Sequence, residues 1–412
     1  MPLTGGEPPG ASRKTFRRGT HRVVSPEETV LRVGAFARAI GITRLANITG
    51  LDHVGIPVAQ AVRPNARSLS VSQGKGLTLA AAKASALMES VETYLAERVD
   101  HPVFLSSYED LVERRPTVDV TTLPRLAATK FHAGLRIPWI AGRDLVGDGE
   151  SWLPYELVHT DWSVPLPQGS GCFPATSNGL ASGNDRHEAL VHAICELIER
   201  DGIALWHALG AAAQAGRRIR PDTIDDADCR WLLERFDSAQ IDVAVWDLTS
   251  DLSVPAFRVH TLDRADGFRS AQPAGGSGCH PDPAIALARA LTEAAQSRVT
   301  YISGARDDAG RSAYLDRRDE GTKADARRYF EQPMQRAFGD VAGHLADDVD
   351  ADLQWLLERL DAAGVRQVVE VDLSSPKLPV SVVRVVIPGL EGVCTMPSYT
   401  PGARAVMAGA DG

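Results

Sequence analysis

One stretch of this chain occurs twice. Trp231-Leu-Leu-Glu-Arg-Phe-Asp-Ser-Ala-Gln-Ile241 returns as Trp355-Leu-Leu-Glu-Arg-Leu-Asp-Ala-Ala-Gly-Val365. Each copy has the apolar spacing of an amphipathic helix. Each feeds a β-branched run, Val243 to Leu248 in the first and Val368 to Leu373 in the second. A turn and another such run follow in both, Val254 to Val259 and Val380 to Ile387. The unit is helix–strand–turn–strand, and strands joined by a short turn pair antiparallel. The chain therefore reads as α+β, with mixed or antiparallel sheets and packed helices built around this internal repeat.

At 412 residues, 44% apolar and 24% charged, the chain can bury a sizeable core. A net charge of −9 argues against a nucleic-acid binder that works by bulk charge. No apolar run approaches the roughly 18–20 residues of a membrane span. Met1–Gly10 has no apolar stretch of a signal peptide. Cys172, Cys195, Cys229, Cys279 and Cys394 include no C-x-x-C pair, which reads as reduced thiols and a cytoplasmic setting.

Residues 1–20 are expected to be a flexible basic segment and 21–64 a helical extension packing on the core. In that extension Ser25-Pro-Glu-Glu28 reads as a capping box opening a helix to about Ile40. Residues 65–400 form the main domain, with a charged surface insertion at 305–352, and 401–412 form a tail. Within the insertion, Asp347-Asp-Val-Asp-Ala-Asp352 lacks the glycine and distal glutamate of a calcium loop and reads as a solvated helix start.

Three segments share one design, a glycine-rich loop entering a helix that carries acids among small or apolar residues. They are Ser72-Gln-Gly-Lys75-Gly76 leading to Ser85, Glu89 and Glu92; Ser177-Asn-Gly179 to Gly183 leading to Glu188, Glu196, Glu199 and Arg200; and Gly275-Gly-Ser-Gly278 leading to Arg289, Glu293, Gln296 and Arg298. Residues three and four apart share a helix face, so Ser85, Glu89 and Glu92 form one stripe lined by small side chains. Glu196 and Glu199 lie among Leu190, Val191, Ile194, Leu197 and Ile198, a helix apolar enough to be buried. Unpaired buried carboxylates cost several kcal/mol each, roughly, and need partners. Arg200, Arg289 and Arg298 supply some charge, and a buried Glu–Arg network is one reading. A divalent metal such as magnesium, which prefers carboxylate oxygen and bridges to nucleotide phosphates, accounts better for so many acids. Lys75, between two glycines, could reach a phosphate, and glycine-rich backbone before a helix favours anions. Neither a Walker motif, a dinucleotide-binding Gly-x-Gly-x-x-Gly after a strand, nor a Gly-x-Ser-x-Gly elbow is present.

These motifs resemble those of the YcaO family. The matching residues are Ser85-x-x-x-Glu89-x-x-Glu92, Ser177-Asn178-Gly179-Leu-Ala-x-Gly183, Glu188 with Glu196-x-x-Glu199-Arg200, and Arg289-x-x-x-Glu293-x-x-Gln296-x-Arg298, in the family's order. The resemblance implies the YcaO-type fold and an enzyme that uses ATP and Mg²⁺ to phosphorylate the oxygen of a peptide backbone amide. A neighbouring Cys, Ser or Thr as nucleophile then yields an azoline, and an external sulfur donor yields a thioamide. Carried over, Glu89, Glu92, Glu196, Glu199 and Glu293 are metal-ligand candidates, and Ser85, Glu188, Arg200, Arg289 and Gln296 nucleotide-binding ones. Glu89, Glu199, Arg200 and Arg289 are the catalytic candidates. Lys14 and Arg22 stand for the family's N-terminal phosphate contacts, and His192 is expected to be a core histidine.

The ending Pro397-Ser-Tyr-Thr-Pro401-Gly402-Ala-Arg404 departs from the alternating prolines of azoline-forming members. Together with Gly-Thr-His21-Arg22 it is more similar to the members paired with a TfuA protein, which are linked to thioamide formation. The expected partners are therefore a ribosomal precursor peptide or protein, a TfuA-like protein and a sulfur donor, with no nucleic acid or membrane; a homodimer is compatible with this. No leader-peptide-binding domain is evident before residue 65. A peptide-docking subunit without activity and a carboxylate-bridged metallohydrolase are the competing classes. Intact E-x-x-E pairs speak against the first, and the scarcity of histidine near the acids against the second.

Overall fold

The computed structural model describes residues 12–167, 169–264, 273–307 and 320–410. After helix α1 (Pro26–Gly34), strands β1 (Arg44–Asn47), β2 (Val58–Val62) and β3 (Val71–Lys75) form a meander that leads into α2 (Leu79–Ala96). Next come β4 (Val103–Ser106), the short α3 (Tyr108–Val112), β5 (Arg125–Leu126), β6 (Ile137–Asp144), β7 (Gly149–Pro154) and β8 (Leu180–Gly183). The long α4 (Arg186–Ala208) follows, then α5 (Ala211–Gly216), α6 (Ala227–Ser238), β9 (Ile241–Asp247), β10 (Ala256–Asp263), β11 (Ala274–Cys279) and α7 (Pro283–Ser303). Helices Glu320–Glu331 and Val349–Ala362 precede β12 (Val369–Asp372), β13 (Ser381–Val386) and β14 (Tyr399–Thr400), and helix Ala403–Ala410 closes the described chain.

The strands make a six-stranded sheet in the order β4-β6-β12-β13-β8 with β7 also on β6, the sheets β1-β2-β3 and β9-β10-β11, and the pair β5–β14. Among the described residues every pair of these named strands is antiparallel. The repeat read from sequence is a repeat in space. α6 leads into the β9–β10 pair, and helix Val349–Ala362 into β12–β13. The equivalence extends to the turn, where Gln240 at φ 57° and Gly364 at φ 83° both take the left-handed conformation that ends a helix.

The glycine-rich segments are mostly strands rather than the expected loops, falling in β3, β8 and β11, while Asn178-Gly179 is a turn with Gly179 at φ 80°. A Cβ on Gly74 in β3 would lie 2.1 Å from the backbone of Ala82 and Ala86, and one on Gly276 in β11 would lie 2.2 Å from Ala290 O. Gly183 in β8 meets α4 in the same way. These glycines let the following helix lie directly on its strand. The three helix N-termini are capped by their own side chains, Thr78, Asp185 and Asp282, rather than left open to an anion.

The terminal regions also differ from expectation. From Ser12 onward the basic segment is packed, with Ser12 and Lys14 buried and Lys14 N bonded to Asp347 O. Ser25 caps α1 at Glu28 N, but the helix stops at Gly34 and the Glu28 carboxylate pairs forward with Arg32. The rest of the extension is turns and irregular chain around the strands β1 and β2, with no further α-helix. Part of the 305–352 insertion falls outside the described residues, while Phe338, Val341, Val349 and Asp352 are buried. Asp348 caps the helix Val349–Ala362, so that segment is a helix start, though Asp352 within it is not solvated.

Candidate active site

The alternation of a strand explains how the acids meet. On β11, Gly276 and Gly278 face α7, so Ser277 faces the other way, toward α4. Its hydroxyl donates to Glu199 Oε1 at 2.7 Å and lies 3.2 Å from Glu293 Oε1. On β8, Gly183 faces α4, and Ser182 donates from its hydroxyl (2.6 Å) and its N–H (2.9 Å) to Glu92 of α2. The N–H of Gln73 donates to Glu89 at 2.8 Å. Each strand thus offers a glycine to one helix, while Ser182 and Ser277 each reach an acid on another.

The acids line a cavity of about 760 Å³ whose wall includes Glu89, Glu92, Glu188, Glu196, Glu199 and Glu293, with Ser85, Gln296, Lys75, Arg22, Arg200 and Arg289. Every site candidate from the sequence is there except Lys14. That lysine is buried in an ion pair with Asp352 and donates to Ala346 O. His192, expected in the core, also lines the cavity, and its Nε2 is 2.9 Å from Arg289. Burial, with Arg289 adding to it, holds this imidazole well below its usual pKa, and hence neutral. Glu188 ties the N-terminal segment down, accepting from Val23 N at 3.0 Å and lying 3.5 Å from Arg22 Nε. Burial lowers the pKa of Arg22 and Glu188 opposes it.

Burial pushes Glu89 up to about 7 and Glu92 up to about 8, against the hydrogen bonds from Gln73 and Ser182. Glu196 is raised for the same reason, with Arg200 opposing. Glu293 is the opposite case. Burial acts to raise it, but Lys75, which is hydrogen-bonded to it, and Arg200 hold it at about 2. Burial also acts to lower Arg200, yet Glu199 at 3.4 Å and Glu196 at 3.8 Å keep it firmly charged.

The cavity wall carries six glutamates and six basic side chains, Arg18 and Arg306 with Arg22, Lys75, Arg200 and Arg289; its all-oxygen carboxylates suit a hard cation such as magnesium, and the basic groups suit phosphate. The acids are strung along the wall rather than closed on one point. Among the described residues, the one trio with ligand atoms within 4.8 Å of one another is His21, His280 and Asp352. Lys14 already holds Asp352, and His21, pushed down to about 4 by burial first, also has the charges of Lys14, Arg17 and Arg22 around it, so that trio is a poor seat for a cation. A strung-out set matches ions shared with the phosphates of a nucleotide, where each ion takes only one or two protein carboxylates.

Comparison with known proteins bears on this arrangement. Residues 73–391 match the family model described as YcaO cyclodehydratase, ATP- and Mg²⁺-binding. The chain belongs to the YcaO family. YcaO proteins are ATP-dependent enzymes that modify peptides, and ATP and Mg²⁺ are the cofactors. A relative from Rhizobium leguminosarum bv. trifolii, described as an uncharacterized protein in the tfuA 3' region, is 38% identical over 388 residues, covering 90% of this chain and 88% of the relative. A Mycobacterium tuberculosis protein is 37% identical over 309 residues, 72% of this chain and 66% of its own. Among solved structures, YcaO from Methanopyrus kandleri bound with AMPPCP and Mg²⁺ superposes with a TM-score of 0.75 at 22% identity, over 95% of this chain and 98% of that one. A heterocyclase in complex with substrate and cofactor also reaches 0.75 at 24% identity. It covers 92% of this chain, which spans only 55% of the heterocyclase. These two likenesses establish the YcaO fold. No helix among the described residues is long and apolar enough to cross a membrane.

Sequence reasoning missed Gln73, Ser182 and Ser277. A signal was available, since each immediately precedes a glycine that packs under a helix: Gln73-Gly74, Ser182-Gly183 and Ser277-Gly278. His192 was misjudged because a histidine at the edge of an apolar helix carries no mark of the arginine that faces it.

Proposed function

We propose that this protein activates a peptide backbone amide by phosphorylating its oxygen, for replacement of that oxygen by sulfur from an external donor. The observation that carries the reading is the convergence of glutamates from α2, α4 and α7 on a cavity also lined by Lys75, Arg22, Arg200 and Arg289. Glu89, Glu92, Glu196, Glu199 and Glu293 would hold magnesium, with Glu293 giving up Lys75 to do so. Ser85, Glu188, Gln296, Arg22, Lys75, Arg200 and Arg289 would hold the nucleotide, and Lys14 leaves that set. Glu89, Glu199, Arg200 and Arg289 would act on the transferred phosphoryl group. An amide is a poor electrophile with a poor leaving group, and turning its oxygen into phosphate removes that barrier. Such transfer needs mainly positioning and neutralised charge.

The thioamide product is favoured over an azoline by the relative in the tfuA 3' region and by the tail around Pro397–Arg404. Azoline formation is the second reading, supported by the likeness to the heterocyclase. A cytoplasmic enzyme working with a TfuA-like partner fits the first. Reconstitution with Mg-ATP, sulfide, the TfuA-like protein and a precursor peptide encoded beside this gene separates them by mass spectrometry. Exchange of oxygen for sulfur supports the proposal, and loss of water without sulfur uptake overturns it in favour of the azoline.

A further inference from the structure

Four basic side chains of the cavity wall stand against carboxylates: Arg18 against Asp228, Arg22 against Glu188, Lys75 against Glu293, and Arg200 against Glu196 and Glu199. Arg289 differs. Among the described residues it has no ion pair, and its Nε is buried without a hydrogen-bond partner. Its fork is held instead by an imidazole, with Nη2 donating to His192 Nε2 at 2.9 Å. A guanidinium has donors only, so Nε2 must accept and the ring carries its proton on Nδ1. Burial first, then the charges of Arg289, Arg22 and Lys75, keep that ring neutral. The stem of Arg289 is fixed from the other side, since a Cβ on Gly278 of β11 would lie 2.8 Å from Arg289 Cβ. Both His192 and Arg289 line the main cavity. A carboxylate in place of the ring would orient the fork as well but would cancel its charge. A neutral acceptor orders the arginine and leaves its whole charge for an anion.

We propose that His192 is a positioning residue, which holds the Arg289 guanidinium ready for the nucleotide phosphates without neutralising it. This rests on the reading of the cavity as the Mg-ATP site. The imidazole moves no proton in this role, because its partner is an arginine, which stays protonated in proteins. It also keeps Arg289 away from the metal carboxylates. Arg289 and Glu293 are four residues apart on α7 and so share a helix face, where an arginine and a glutamate pair readily. Released from His192, the fork would turn to Glu293, taking a ligand from the metal and a positive charge from the phosphates. Holding the fork from α4 prevents both losses, and the side chain is ordered before the nucleotide arrives.

The test is calorimetry of the full chain with Mg²⁺ and a non-hydrolysable ATP analogue. His192→Leu removes the acceptor and should weaken binding by about tenfold. His192→Gln brings an amide oxygen close to the place of Nε2 and should bind within about threefold of wild type. His192→Asn ends short of that place; it should weaken binding like the leucine variant, and it carries the comparison if the leucine variant does not fold. In an Arg289→Gln background the same change at His192 should cost no further affinity, because the ring acts through the arginine. Wild-type affinity in His192→Leu overturns the proposal. So does equal weakening by leucine and glutamine, which would mean that the ring matters for its shape, and so does a full additional loss in the Arg289→Gln background. Failure of the wild type to bind the Mg-analogue at all overturns instead the Mg-ATP reading beneath it.

Discussion

Lys14 Nζ lies 2.6 Å from Asp352 Oδ2, and both side chains are 1% exposed. The pair fastens the N-terminal segment to the helix Val349–Ala362, with Val349 N donating to Ser12 O and Lys14 N to Asp347 O. The fastened segment goes on to contribute Gly19, Thr20 and Arg22 to the cavity wall.

Lys14→Met should leave Asp352 buried without its partner and destabilise the protein by about 3–5 kcal/mol. Burial already raises the Asp352 pKa despite Lys14, so the lone carboxyl would take up a proton. The double variant Lys14→Met/Asp352→Leu should recover much of the loss in thermal unfolding. If Lys14 instead touches phosphate, the single variant will unfold like wild type and raise the KM for ATP.

Glu89→Gln and Glu199→Gln should each lower Mg-dependent ATP turnover by about a hundredfold or more while leaving far-UV circular dichroism unchanged. Both keep side-chain shape and an acceptor oxygen for Gln73 N–H or Ser277 OH. Normal turnover in either would remove that residue from the metal site.

Metal-free protein should lose stability as pH rises. An unfolded glutamate titrates near ~4.3, whereas Glu89 and Glu92 in the fold keep their protons up to about 7 and about 8. Across that window the folded state binds more protons than the unfolded one, so these two groups make stability fall with rising pH. Magnesium replaces those protons, and with the ATP analogue it should raise the melting temperature more at about pH 8 than at about pH 6. An equal shift at both values would place the ion elsewhere.

Gly276→Ala should destabilise by about 1–3 kcal/mol and weaken Mg-analogue binding together. The added Cβ would sit 2.2 Å from Ala290 O and 2.3 Å from Ala294 N, pushing away the helix that carries Glu293. Gly34→Ala, at a helix end with open space around it, should be neutral or stabilising by about 0.5–1 kcal/mol, as unfolding curves would record.

Periodicity within one element made much of this protein readable in advance. The Trp231 and Trp355 repeats are local patterns, and they predict α6 with β9–β10 and the Val349–Ala362 helix with β12–β13. The three- and four-residue spacings of Ser85-Glu89-Glu92 and Glu196-Glu199 predict acids sharing a helix face for the same reason. The glycines of β3, β8 and β11 were misread as loop, while Gly179 does sit in a turn, because a glycine that frees a turn and one that admits a helix backbone look alike in one dimension.

Side-chain order thus settled which elements form and which residues each turns to a common side. Pairing across the chain was settled by folding alone: Lys14 with Asp352, Ser182 with Glu92, and Ser277 with Glu199. Those partners come from different elements, and no local spacing encodes them. A buried charge or hydroxyl must be satisfied by whatever group packing brings within about 3 Å, and that choice exists only once helices and sheets have docked.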